Sequence, residues 1–129
     1  MSVWHGEKGR TPTGGKIVVA RKKRKYELGS LPLLTKIGKE KKIGKKTKGG
    51  GNKVKAVSVE FVNVFDKKNK SVKKVKILHI LENPANPNYV RRGILTKGTV
   101  VNTELGKAKI TSRPSQDGIA NGILVEAGK

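Results

Sequence analysis

The first 53 residues of this chain have almost nothing to fold around. Between Met1 and Lys53, sixteen Lys and Arg stand against three acids (Glu7, Glu27 and Glu40), and residues 21 to 25 read Arg-Lys-Lys-Arg-Lys. From Val54 onward the balance relaxes to fourteen against six. A net charge of +21 on 129 residues opposes its own compaction and calls for a polyanion to condense on. Apolar residues make up 34% of the chain and only five residues are Phe, Trp or Tyr, so one modest core is the most it can build. The composition divides the chain into a basic N-terminal extension, residues 1–53, and a folding domain, residues 54–129.

Within the extension, Ile17 to Ala20 reads as a short strand, and Arg21 to Leu28 as a helix only against a partner. Leu31 to Leu34 is a small apolar anchor. Thr35 to Lys53 holds eight lysines and five glycines around Ile37 and Ile43, too little to offset the entropy of ordering, and is expected to be disordered alone. The extension is therefore mostly extended.

After Lys53 the period changes to two. Val57, Val59 and Phe61 share one face of a strand, then Val62 and Val64 continue on the other, which predicts a bulge or bend near Phe61. Asp66 to Ser71 is a hairpin loop, and the return strand Val72 to Glu82 places Val75, Ile77, His79 and Leu81 together. Asn83 to Asn88, with Pro84 and Pro87, cannot be interior strand. Tyr89 to Leu95 is a short segment that, if extended, puts Arg91 and Arg92 on opposite faces. Thr99 to Thr103 and Lys107 to Thr111 form a second hairpin around Glu104-Leu105-Gly106. Ser112 to Gly118 is a loop, and Ile119 to Val125 is the last strand. The fold class is all-β: a small antiparallel barrel of about six short strands.

Several functions are excluded or disfavoured. The chain has no cysteine, hence no disulfide, no thiolate zinc site and no thiol nucleophile, as suits a reducing cytosol. Its longest apolar runs are far short of a membrane span, and Met1 to Arg10 lacks a signal-peptide core. Thr13-Gly14-Gly15-Lys16 resembles part of a phosphate loop, but Arg10 and Ile17 stand where that motif needs Gly and Ser or Thr. His5 and His79 have no companions at metal spacing, and His79 between Ile77 and Leu81 reads as a partly buried structural residue. No carboxylate pair is evident. The expectation is a protein without catalytic step, cofactor, metal or small-molecule substrate.

The cationic run by itself also fits a solvated face or a localisation signal. Cations recur beyond it, however, at Lys67, Lys68, Lys70, Arg91, Arg92 and Arg113 in the loops of the folding domain. Helix-turn-helix, zinc-finger and basic-zipper patterns are missing, and so is the aromatic motif of sheet-based single-strand binders. Trp4, Tyr26 and Tyr89 are the available stacking platforms, while Phe61 and Phe65 read as core. Gly14 and Gly15, together with Gly49, Gly50 and Gly51, permit close backbone approach to phosphates. What remains is backbone and shape recognition of folded RNA. The alternatives are a DNA-compacting architectural protein, for which no wedge residues or dimer interface are visible, and an anionic-membrane binder, for which Lys39 to Lys53 is too Gly-rich to form the helix.

The residues also resemble a known family nearly end to end. The blocks are Thr13-Gly14-Gly15-Lys16, Arg21 to Gly29, Gly50-Gly51-Asn52-Lys53, Asn63-Val64-Phe65-Asp66, Glu82 to Asn86, Ile94 to Gly98 and Thr111-Ser112-Arg113-Pro114. In this order they are similar to the archaeal and eukaryotic small-subunit ribosomal protein eight family, in its archaeal form, because the long eukaryotic insertion is lacking. The chain departs from the family pattern at Ser115, where Gly is usual, and by an extra glycine in Lys48-Gly49-Gly50-Gly51.

The resemblance implies a cytoplasmic, ribosome-bound protein that binds small-subunit ribosomal RNA beside neighbouring ribosomal proteins, with no homo-oligomer. Candidate RNA contacts are Trp4, Arg10, Lys16, Arg21, Lys22, Lys23, Arg24, Lys25, Lys48 and Lys53 in the extension, ordered on RNA, and Arg91, Arg92 and Arg113 on the barrel. Arg21, Arg24 and Lys16 are expected to matter most, since Arg binds phosphate bidentately and glycines flank Lys16.

Overall fold

A computed structural model describes residues 2–7 and 9–127. The chain divides into two compact units, Met1–Pro32 and Leu33–Lys129. In the first, a two-residue strand β1 (Val3–Trp4) pairs antiparallel with β2 (Leu28–Gly29), so the two ends of the unit meet. A single 3-10 turn, Lys25–Glu27, leads into β2. It is all the helix that Arg21 to Leu28 forms. The strand expected at Ile17 to Ala20 is irregular instead, with Val18 88% exposed, because four apolar residues make no strand without a ladder to join.

The second unit begins earlier than the change of period suggests. It comprises β3 (Thr35–Ile37), β4 (Lys41–Lys46), β5 (Asn52–Val59), β6 (Phe61–Asp66), β7 (Ser71–Glu82), a helical turn α1 (Asn88–Arg91), β8 (Ile94–Leu95), β9 (Val100–Thr103), β10 (Gly106–Ile110), a second turn α2 (Pro114–Asp117) and β11 (Asn121–Ala127). Thr35 to Lys53, expected to be disordered, supplies β3 and β4. The sequence boundary at Lys53 falls inside a ladder, with Lys45 opposite Lys53. The whole of β4 is exposed, which is why no hydrophobic alternation marks it. Backbone pairing to β5 and burial of Thr35, whose hydroxyl donates to the Ala56 carbonyl at 2.7 Å, hold the segment to the sheet.

Two sheets result. One is a closed barrel in the order β10-β11-β6-β7-β9, with β9 returning to β10; the other runs β4-β5-β3-β8. The barrel has five strands where about six were expected, the described residues hold eleven strands in three sheets with β1–β2 included, and the barrel is not purely antiparallel. Its closing pair, β6 with β11, is parallel, as is β3 with β5. The predicted bend near Phe61 is present at Glu60, where one sheet hands over to the other.

Five strands enclose a narrow interior, since barrel diameter grows with strand number. Val62, Val64, Val75, Ile77, Ile80, Val101, Ala108 and Ile110 fill it, continuous with Ala56, Val59, Leu95 and Ala120. Phe61 and Phe65, expected in the core, are each 38% exposed on the outer face. His79 is exposed too. The β7–β9 register slips between Ile77 and His79, so the inward face continues from Ile77 to Ile80 rather than to His79.

The Asn83 to Asn88 turn is closed by polar contacts. Asn83, 6% exposed, donates from Nδ2 to the Ile94 carbonyl at 3.1 Å and accepts at Oδ1 from the Ala85 N–H and the Thr96 hydroxyl. Tyr89 to Leu95 then turns helically before β8, so Arg91 and Arg92 are neighbours on a turn rather than on opposite faces of a strand.

Limited proteolysis of the free protein is expected to leave a resistant fragment that starts near Leu33; one starting near Val54, read by mass, would mean that β3 and β4 do not hold to the sheet. Asn83→Ala should cost about 1–3 kcal/mol in urea unfolding, because it orphans buried polar partners. His79→Ala should stay within about 0.5 kcal/mol.

Candidate nucleic-acid interface

The cations fall into separate groups, each with its own local cause. In the first unit the organiser is Glu27, the sole acid between Glu7 and Glu40. Its Oε2 accepts from the Trp4 indole N–H at 2.8 Å and from the Arg24 backbone N–H at 3.1 Å, while Oε1 accepts from Arg21 Nη2 at 2.6 Å. The Glu27 carbonyl accepts from the His5 N–H at 2.8 Å. One carboxylate therefore ties the N-terminal strand to the basic run and fixes the directions of two of its residues. The Trp4 hydrogen bond, followed by that of the Arg24 N–H, lowers the Glu27 pKa to about 2.

Cation–π contacts complete this cluster. Lys23 Nζ lies 5.3 Å from the Trp4 ring centroid, and Arg21 Cζ lies 5.7 Å from that of Tyr26. Trp4 is thus half-buried and already carries a cation, whereas Tyr26 keeps 78% of its surface exposed. Lys22, Lys23, Arg24 and Lys25 are exposed around them.

The glycine loops share one design. Thr11 N–H donates to the Gly15 carbonyl at 2.9 Å, and Thr47 N–H to the Gly51 carbonyl at 2.6 Å. In both loops the same threonine's hydroxyl donates to that carbonyl as well, at 3.4 and 2.8 Å. Positive φ at Gly14 (85°) and at Gly49 and Gly50 (86° and 80°) makes these turns possible, and a side chain there would be strained. Beside the first loop, Arg10 and Lys16 form a bridge, and Arg10 Nη1 donates to the Gly14 carbonyl. The Gly14 and Gly15 N–H groups are spent inside the loop, on the Thr11 carbonyl and hydroxyl. Close approach at this loop is therefore over bare Cα surface, not through those amides.

The second loop, with Lys48, Gly50 and Gly51, is the tip of the β4–β5 hairpin. Lys53 stands opposite Lys45, and Lys55 opposite Ile43, so one face of a two-stranded ribbon repeats lysine. Like charges directly across a ladder destabilise it, and an anion laid along the ribbon removes that cost. Elsewhere in this unit, Asn88, Arg91 and Arg92 line a recess of about 430 Å³. Arg113 precedes α2; its backbone N–H is held by Asp117 Oδ2 at 2.8 Å, and its side chain is exposed. Ser115 sits within that turn, which Gly118 ends in a left-handed conformation.

The family model for "Ribosomal protein S8e" matches residues 4–125. The chain belongs to this family. It is 51% identical over 126 residues to the "Small ribosomal subunit protein eS8" of Sulfolobus acidocaldarius, covering 97% of this chain and 98% of that protein. It is 48% identical over 124 residues to the protein so named from Methanocorpusculum labreanum (96% and 99% covered), and 49% over 127 residues to that of Sulfurisphaera tokodaii (98% and 99%). The resemblance read from the sequence blocks is thereby established, on the archaeal side of the family.

In this S8e chain the geometry gathers Trp4, Arg21, Lys23 and Arg24 around Glu27, Arg10 and Lys16 at one Thr-Gly turn, and Lys48 and Lys53 on the hairpin. Arg91 and Arg92 share the recess beside α1, and Arg113 precedes α2, which packs on β5. Sequence reasoning missed Lys41, Lys42, Lys45, Lys46 and Lys55 as parts of a built ribbon. The available signal was the repeated spacing of Thr11 to Gly15 and Thr47 to Gly51. It also missed Glu27, which stands out only as a lone acid.

A depressed carboxylate contributes fully above its ordinary pKa of 4.5 and loses that contribution as pH falls toward about 2. Emission from Trp4, the single tryptophan, should therefore hold steady from pH 7 to about 4 and change only near pH 2. Glu27→Gln should remove that acid transition; a wild-type midpoint near 4.5 would mean the clasp does not form.

Proposed function

We propose that this chain is a structural constituent of the small ribosomal subunit that binds ribosomal RNA through its phosphate backbone and its shape, and so supports subunit assembly and translation on the cytoplasmic ribosome. Membership of the S8e family, with relatives named as small-subunit proteins over nearly their whole length, is the observation that carries this reading. The excess of cations, exposed in both units, supports it: an RNA surface is the polyanion that offsets the self-repulsion of +21 charges. The DNA-compacting alternative finds no counterpart among relatives that are named as ribosomal proteins.

The contacts follow from chemistry. Arg21 and Arg24 present planar donors suited to bidentate phosphate binding, with Lys22, Lys23 and Lys25 as point charges between them. Arg10 and Lys16 flank a turn whose glycines allow a sugar–phosphate strand to lie close. The β4–β5 ribbon adds Lys48 and Lys53 and fits a groove edge as a two-stranded element. Arg91, Arg92 and Arg113 serve as anchors on the second unit. Trp4 acts through Glu27 as a brace for the run. Neighbouring ribosomal proteins complete the surroundings; no small-molecule substrate, cofactor, catalytic step or self-association is assigned.

Arg21, Arg24 and Lys25 changed together to Ala should weaken binding to small-subunit ribosomal RNA and flatten the slope of log K against log salt by about 2–3 units. Filter binding across a salt series reads this directly. An unchanged slope would mean that the run does not touch phosphate.

A further inference from the structure

The outer face of the barrel carries a feature that phosphate binding leaves unused. Along β6, Phe61, Asn63 and Phe65 point outward while Val62 and Val64 fill the core. The ladders extend this face to both sides. On β7, Lys76, Lys74 and Val72 lie opposite Phe61, Asn63 and Phe65. On β11, Asn121 and Ile123 stand beside Asn63 and Phe65, and Lys109 of β10 lies beyond Ile123. Both aromatic rings are 38% exposed.

The face is chemically organised. Asn63 Nδ2 donates to Asn121 Oδ1 at 3.0 Å, which leaves Asn63 Oδ1 as an acceptor and Asn121 Nδ2 as a donor for another molecule. A recess lies on each side of this pair. One, of about 200 Å³, includes Phe61, Lys74 and Ile119 in its walls; the other, of about 440 Å³, includes Phe65, Val72 and Ile123. Lys74 Nζ rests 4.9 Å from the Phe61 ring centroid. The acids at this edge are already paired, Glu40 with Lys42 at 2.6 Å and Glu60 with Lys76 at 3.1 Å.

We propose that this face binds an unpaired segment of RNA, with bases stacked on Phe61 and Phe65, a base edge paired with Asn63 and Asn121, and the adjoining phosphates held by Lys74 and Lys109. The inference rests on the ribosomal RNA reading above and deepens it from phosphate to base recognition. Four residues of strand separate the rings by about 13 Å, a span that a splayed single strand bridges and a stacked duplex does not offer. Lysines on both flanks with paired acids are complementary to a polyanion. Apolar side chains laid over the same band would bury Asn63 Oδ1 and Asn121 Nδ2 without partners, whereas a base edge supplies both a donor and an acceptor. Lys74 moves from the ring to a phosphate as a base takes its place.

The test compares the full-length protein's affinity for a single-stranded oligoribonucleotide of about eight nucleotides with that for an abasic strand of equal length and charge. The base-bearing strand should bind at least tenfold tighter. Phe61→Leu with Phe65→Leu keeps the apolar surface, removes the planar rings, and should abolish that preference while leaving the salt slope intact. In the wild type, NMR resonances of the two rings should move upfield on addition of the base-bearing strand only, a readout independent of whether the variant folds. Equal affinity for the two strands, or a preference that survives in the double variant, overturns the proposal. So do ring resonances that ignore the oligonucleotide but shift with an apolar peptide. Loss of all salt-dependent affinity for ribosomal RNA would instead sink the broader reading.

Discussion

Closure of a five-stranded barrel is the constraint on which the rest of the second unit depends. The parallel pairing of β11 on β6, with Asn121, Gly122 and Ile123 beside Asn63, Val64 and Phe65, shuts the ring. Val62, Val64, Val75, Ile77, Ile80, Val101, Ala108 and Ile110 fill the ring. With Val62 and Val64 inward, strand alternation turns both Phe side chains outward, and a face that would otherwise be plain solvent surface acquires aromatic rings beside lysines. Gly122 shows how tight the closure is: a Cβ there would come within 3.0 Å of the Lys109 carbonyl.

Electrostatics governs the remainder by a different route. Cations are so numerous that the rare acids decide which of them are held in place. Glu27 organises the first unit through three hydrogen bonds to its carboxylate, Asp117 holds the turn after Arg113, and Asp66 closes the β6–β7 hairpin with the Lys68 N–H and Asn69. On the β4–β5 ribbon lysine also stands directly across the ladder from lysine, as Lys53 does from Lys45. A free chain bears that repulsion; a chain laid on RNA has it neutralised. Folding and binding thus draw on the same charges.

Much of the second unit was legible in the chain. The switch of parity at Phe61, the loop at Asp66 to Ser71 and the hairpin around Glu104-Leu105-Gly106 all follow from period-two alternation and turn residues, which are local signals. The failures share a cause as well. The β4 strand shows no alternation because both its faces are solvated. His79 fell on the wrong face because a one-residue slip in β7 reverses every parity inferred beyond it. The helical turn at Asn88–Arg91 is shorter than any periodic signal. Of the candidate site, the cationic run and the glycine loops could be read directly. The clasp at Glu27 could not, since Trp4 and Glu27 are 23 residues apart and only the β1–β2 pairing brings them together.

The sequence by itself determined the charge imbalance, the all-β character, the family and the need for an anionic partner, because composition, alternation and motif order are properties of the chain alone. Tertiary structure decided which residues face inward and which loops become edges of a sheet. It also decided how much of the basic half belongs to the folded unit. Those outcomes depend on register and closure, where a single-residue slip changes the face on which a side chain emerges. Phe61 and Phe65 are the clearest instance: apolar in the sequence, they became surface because Val62 and Val64 take the inward positions of the same strand.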